Sequence, residues 1–100
     1  IDGDIAEVMS PHPIDEKFKA FGWNVIYADA HDFDSLRESF DKARSFKGKP
    51  SIIIAKSIKG KGVSFMENQA GWHGVAPNDE QHAKAIEELN AKLAELGGNI

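Results

Sequence analysis

The residues best suited to chemistry in this chain stand in one short stretch, Lys56-Ser57-Ile58-Lys59-Gly60-Lys61-Gly62. Glycines let backbone N–H groups approach an anion closely, and lysines add positive charge, so the stretch suits a phosphate or diphosphate. A basic, solvated turn accounts for the same residues, and spacing alone leaves both readings open. A Walker A loop is excluded. Gly48-Lys49 is followed by Pro50 instead of Ser or Thr, and Ala43 stands where the first glycine belongs.

A second group is Gly71-Trp72-His73-Gly74. An imidazole between glycines and beside an indole titrates near neutral pH and can donate to a substrate hydroxyl or carry a proton. The plainer reading is a loop histidine next to a tryptophan that anchors the loop. Asp29-Ala30-His31-Asp32 is a third candidate, with the donor types of a metal site. His12 and His82 stand at no matching ligand spacing, and a His-x-x-x-His pair is absent. Asp32 is therefore read as a helix cap and His31 as a strand-end loop residue. No Gly-x-Ser-x-Gly elbow occurs, and the absence of cysteine excludes a thiol nucleophile, a disulfide framework and a thiolate-ligated metal. Glu87, Glu88 and Glu95 read as a solvated helix face.

These groups need elements to hold them. Residues 1–13 read as an irregular opening segment, because Ser10-Pro11 and His12-Pro13 disfavour helix. A helix is expected from about Ile14 to Phe21, with Phe18 and Phe21 on one face and Gly22 as the stop. Trp23 to Asp29 reads as a strand. A second helix is expected from Asp34 to about Phe46, with Leu36, Phe40 and Ala43 as its stripe and Gly48-Lys49-Pro50 as its end. Ser51 to Lys56 carries an Ile-Ile-Ile-Ala run, the pattern of a strand buried on both faces. Strand, helix, strand with short links predicts a right-handed parallel crossover and an α/β fold. The lysine–glycine stretch then falls at the carboxyl end of the second strand, where such sheets collect ligands. Residues 57–78 form a glycine-rich loop, long enough to be functional. A last helix is expected from about Asp79 to Leu96, opened by an Asn78–Gln81 capping box and closed by Gly97-Gly98. Its stripe is Ile86, Leu89, Leu93 and Leu96.

With 100 residues and 11.0 kDa, the chain is one small domain or part of a larger one. Area scaling gives a folded surface of about 5,600 Å², room for one modest core. Hydrophobic residues make up 41% and charged residues 28%, which excludes a disordered chain. The net charge of −4 argues against a nucleic-acid partner, whose phosphates call for a basic surplus. No apolar run approaches the ~20 residues needed to cross a bilayer, and no signal peptide is visible, so a cytoplasmic protein without a membrane partner is expected. The first residue is Ile1, so a processed product or a piece of a longer chain is expected.

Five strings stand in order along the sequence: Phe21-Gly22-Trp23, then Asp29-Ala30-His31-Asp32, then Gly48-Lys49-Pro50-Ser51, then Ala55-Lys56-Ser57-Ile58-Lys59-Gly60-Lys61-Gly62-Val63-Ser64-Phe65-Met66-Glu67-Asn68, then Trp72-His73-Gly74. Each is weak alone. In this order and with fitting gaps over nearly the whole chain, they resemble transketolase, most of all the N-terminal subunit of the bacterial split enzymes. The resemblance implies the later part of a thiamine-diphosphate-binding domain, a parallel sheet wrapped by helices, as a single partial domain over residues 1–100. It implies transfer of a two-carbon ketol unit from a ketose phosphate to an aldose phosphate, begun by attack of the cofactor's ylid on the ketose carbonyl. In that family the cofactor lies between two domains, commonly from different subunits of a dimer. The implied partners are therefore the remaining transketolase domains or a C-terminal subunit, in a homo- or hetero-oligomer, with sugar phosphates as substrates.

By position, Ile1 resembles the apolar residue that packs on the cofactor, and Lys59 a loop lysine that contacts the diphosphate. His73 resembles the active-site histidine that faces cofactor and substrate. The family's Gly-Asp-Gly motif, followed later by Asn, holds Mg2+ on the diphosphate. This sequence is expected to begin just beyond that Asn, and Gly3-Asp4-Ile5 is no substitute because no second glycine follows. The metal ligands are thus expected upstream, and none is assigned here. Ala30 stands where the family often has Gly.

The expected function is that of a fragment of a transketolase-type enzyme, inactive in isolation. The alternative is a non-catalytic phosphate-binding or protein-interaction module on the same scaffold. A further possibility is self-association through an exposed strand edge.

Overall fold

The computed structural model describes residues 1–98. The chain forms two compact units, one of Asp4–Ser57 and one that joins Ile1–Gly3 to the chain from Ile58 onward. Among the described residues no helix is long and apolar enough to cross a membrane.

The Asp4–Ser57 unit holds α1 (Ile5–Met9), α2 (Ile14–Ala20), β1 (Asn24–Asp29), α3 (Phe33–Ser45) and β2 (Ser51–Lys56). The strands pair in parallel, in register from Asn24 opposite Ser51 to Asp29 opposite Lys56. α3 packs on both strands and α2 on β1. The expected α/β arrangement, a parallel sheet with flanking helices, is thereby met.

The turn from α2 into β1 shows how local chemistry sets the path. Gly22 takes φ +83°, the left-handed region that glycine enters without a Cβ penalty. Its N–H donates to Lys19 O at 2.9 Å, and the Trp23 N–H reaches back to Phe18 O at 3.0 Å. These paired bonds close the helix, and the apolar contact that accompanies such a motif is present. The Phe18 and Trp23 rings meet edge-on, 5.3 Å between centroids. Phe21 does not share that face as expected. It caps the helix and is 82% exposed, because the reversal at Gly22 gives Trp23 the place against Phe18. A second tie comes from Tyr27, whose phenol donates to Asp15 Oδ2 at 2.5 Å. That bond holds the Asp15 carboxyl below its ordinary range and pushes the Tyr27 phenol up.

Asp32 caps α3, accepting from Asp34 N at 2.9 Å and Ser35 N at 3.3 Å. Asp29 is used locally as well, since its carboxylate accepts the His31 N–H at 2.9 Å. The inward face of α3 differs from the expected stripe. Leu36 and Ala43 are half-buried, but Phe40 is 51% exposed, and the buried position is Ser39 at 2%. A small side chain there lets the helix lie close to the strands. Its hydroxyl donates to Ser35 O at 2.7 Å, so no polar atom is orphaned.

Two further expectations need correction. The opening segment is not wholly irregular: Asp4 accepts from Ala6 N at 2.8 Å and caps α1. The run Ile-Ala-Glu-Val-Met then extends one turn before Ser10-Pro11 stops it. Ile52, Ile53 and Ile54 are half-buried instead of buried on both faces. Among the described residues β2 pairs only with β1, so its other edge is free. The core of this unit is accordingly small: Ile26 and Ala28 are its buried apolar residues among the described residues.

Ser39→Leu is expected to destabilise the protein by about 1–3 kcal/mol through overpacking, and Ser39→Ala by less than about 1 kcal/mol. Urea unfolding midpoints check the contrast.

Candidate functional site

The other unit carries the loop from Ile58 to Asn78 and α4 (Asp79–Glu95). The loop is stitched by its own hydrogen bonds. Its first half turns at Gly60, which takes φ +71°. A Cβ there would run into the Met66 carbonyl oxygen, so glycine is required on two counts. The Asn68 N–H donates to Lys59 O at 2.9 Å and closes the half-loop over Met66.

Three amides of the turn face the chain's own acceptors. Lys61 N–H donates to Ile58 O at 3.2 Å and Val63 N–H to Gly60 O at 3.3 Å. Gly62 N–H donates to Glu67 Oε1 at 3.1 Å, and Lys61 Nζ lies 3.8 Å from the same oxygen. The anion that the Gly62 amide meets is thus the carboxylate of Glu67. Lys59 stays exposed and makes no ion pair among the described residues.

The loop is also held to α4. Ser64 donates twice to one carboxylate, from its N–H to Glu88 Oε2 at 2.7 Å and from its hydroxyl to Glu88 Oε1 at 2.6 Å. These bonds, the hydroxyl's first, hold the Glu88 carboxyl below its ordinary range, with Lys84 adding to the effect. Next along the chain, Phe65 O accepts from Trp72 Nε1 at 3.1 Å, and the two rings lie 5.6 Å apart at 55°. Lys84 Nζ sits 5.6 Å from the Phe65 ring centre. With Glu80 and Gln81 these residues line an open pocket of about 310 Å³. Trp72 does anchor the loop, in a 3-10 turn over Ala70–Trp72. Adjacent His73, its N–H bonded to Ala70 O at 3.0 Å, keeps an exposed ring.

α4 opens with the expected capping box, Asn78 and Gln81 exchanging bonds of 2.9 Å. It closes at Gly97-Gly98 as expected, where Gly98 N–H reaches Leu93 O at 3.0 Å. Its covered face is not the apolar stripe. Ala85 is buried and Gln81 and Glu88 are half-buried, whereas Ile86, Leu89, Leu93 and Leu96 are 40–77% exposed. Glu88 therefore leaves the solvated face assigned to it and becomes the helix's hold on the loop. No local signal marks it, because its partner lies 24 residues away.

Ile1, Lys59 and His73 all fall in this unit, and Ile1 is 81% exposed. Among the described residues, no hydrogen bond or ion pair joins the side chains of Lys59 and His73, and no group of three or more His, Asp or Glu side chains is placed to hold a metal ion. The exposed Lys59 ammonium is a donor that suits a diphosphate oxygen.

Gly60→Ala is expected to loosen the loop and speed its cleavage in limited proteolysis. Gly71→Ala, which meets nothing within 4 Å, is expected to leave the rate unchanged. The sign of the acid response follows from Glu88. Because its folded pKa is lowered, the clamp is fully present above the ordinary glutamate range and lost as pH falls through the lowered value. In an NMR titration Ser64→Ala should raise the Glu88 midpoint toward that ordinary range.

Comparison with known proteins bears on the whole chain. The family described as "Transketolase, thiamine diphosphate binding domain" matches residues 1–94. The 6-deoxy-6-sulfo-D-fructose transketolase subunit SqwG of Clostridium sp. (strain MSTE9) is 37% identical over 94% of this chain and 34% of its own length. An apulose-4-phosphate transketolase subunit from Phocaeicola vulgatus is 33% identical over 96% of this chain and 34% of its own. Transketolase-like protein 2 of Homo sapiens is 41% identical over 82% of this chain and 13% of its own. The chain thus spans about a third of the length of the two bacterial relatives.

Proposed function

Since this chain belongs to the transketolase thiamine-diphosphate-binding-domain family, we propose that it supplies the diphosphate-side and sugar-side contacts of a transketolase active site. The observation that carries the proposal is the stitched loop, in which Lys59 is the lysine without an ion pair among the described residues and His73 is exposed. When bound, thiamine diphosphate supplies the nucleophilic carbon and electron sink for two-carbon ketol transfer. Lys59 binds a diphosphate oxygen through a charge-assisted hydrogen bond, since its charge is not spent on a carboxylate as Lys61's is. His73 faces the sugar, donates to an oxygen that gains charge in the transition state, and exchanges a proton there. Ile1, a large apolar side chain left 81% exposed, covers the cofactor's apolar part.

Mg2+ on the diphosphate belongs to the same reading. The proposed partners are the remaining transketolase domains or a C-terminal subunit, in a homo- or hetero-oligomer. Support comes from relatives named as transketolase subunits. The proposed substrates are a ketose phosphate and an aldose phosphate, in a cytoplasmic setting. The relatives named for 6-deoxy-6-sulfo-D-fructose and apulose-4-phosphate widen the donors worth assaying.

In the full-length protein with its partner subunit, His73→Ala is expected to lower kcat by roughly 100-fold while cofactor affinity stays within about threefold. Lys59→Ala is expected to weaken cofactor binding by roughly 10- to 100-fold. Steady-state kinetics and cofactor titration check both. Equal losses of turnover and affinity in His73→Ala would contradict the sugar-side placement. Full activity in both variants would contradict both placements, and a wild-type assembly without ketol transfer would favour a non-catalytic phosphate-binding or interaction module.

A further inference from the structure

We propose that Glu88 is a positioning residue for His73, acting through Ser64 and the Phe65–Trp72 pair. The inference rests on the sugar-side reading of His73.

Two kinds of contact hold the loop. The stretch from Lys59 to Asn68 closes on itself: Asn68 N–H bonds Lys59 O, Glu67 takes the Gly62 N–H and the Lys61 charge, and Gly60 turns tightly under Met66. Those bonds hold Lys59 without a partner on α4. Ser64, inside the same stretch, is fastened to α4 by its two bonds to Glu88, 2.7 and 2.6 Å long. A carboxylate that takes both an N–H and an O–H from one residue fixes that residue's orientation as well as its position. Phe65 follows Ser64 directly, and its carbonyl and ring together hold the Trp72 indole. Trp72 is one peptide bond from His73. The path from α4 to the imidazole thus runs through two hydrogen-bonded contacts and two peptide links, on a helix whose ends are both closed. Lys84, one turn before Glu88, lies over the Phe65 ring and adds to the lowering of the Glu88 pKa that the Ser64 bonds begin. Small displacements of a group that must meet a reacting atom cost rate steeply, while tight binding elsewhere survives.

The test is a double-mutant cycle in the full-length protein assembled with its partner subunit, with a ketose phosphate donor and an aldose phosphate acceptor. Glu88→Gln keeps the size of the side chain but loses one of its two acceptors. It is expected to lower kcat roughly tenfold, with cofactor affinity unchanged within about twofold. In a His73→Ala background it is expected to cost less than a further twofold, because the group it positions is gone. Losses that multiply in the double variant, or cofactor affinity that falls in step with kcat, would overturn the proposal. If Glu88→Gln fails to fold, Ser64→Ala is read in its place. It removes one donor and keeps the backbone bond, so a smaller loss of kcat with the same coupling to His73 is expected, and no loss counts against the proposal. A His73→Ala variant with full turnover would remove the functional reading and this inference together. A crippled His73→Ala beside an additive Glu88→Gln would remove this inference alone.

Discussion

One carboxylate on α4 receives both donors of one loop serine, and the next residue, Phe65, holds the Trp72 indole beside His73. A loop rich in glycine loses more conformational freedom on ordering than most segments of its length. Something must offset that loss, and the apolar residues here do little of it, since Ala85 is the one buried apolar residue among the described residues of this unit. Polar stitching takes the part that burial plays in a larger core. Glu88 and Glu67 do the stitching, and each carboxylate accepts from a backbone N–H as well as from a side chain or its charge.

The same economy shows in the Asp4–Ser57 unit. Two parallel strands bury little by themselves, so the helices are tied down by specific contacts. Trp23 meets Phe18 across the close of α2, Tyr27 bonds Asp15, and the buried Ser39 brings α3 close to the sheet. Each of these ties joins an element to its neighbour in sequence, over no more than 12 residues, and the strand pairing, 27 residues apart, reaches further. In the loop unit the tie from Ser64 to Glu88 spans 24 residues.

That difference explains what is legible in the sequence. Signals that act over a few residues are readable: the Asn78–Gln81 capping box, the Asp32 cap, the stops at Gly22 and Gly97-Gly98, and both strands. The one-turn helix after Asp4 escapes notice because nearby prolines carry more weight than its cap. The stripes of α3 and α4 fall in the wrong place because apolar periodicity says nothing of a small polar residue such as Ser39, or of a carboxylate such as Glu88, on the covered face. The lysine–glycine stretch is recognisable as an anion-binding pattern, but the anion its Gly62 amide meets is Glu67. Residue types predict that amides will meet a negative charge, and only coordinates say whether the chain supplies that charge itself. The family strings are legible as a set, and the match over residues 1–94 agrees with them.

In the proposed site Lys59 and His73 serve opposite ends of one bound cofactor and sugar. The most direct measurement is a crystal structure of the full-length assembly with thiamine diphosphate, Mg2+ and a ketose phosphate. It should place Lys59 Nζ within about 3 Å of a diphosphate oxygen and a His73 ring nitrogen at the same reach of a sugar oxygen. A structure in which Lys59 points into solvent while free loop amides hold the diphosphate, or in which His73 lies away from the sugar, would contradict it.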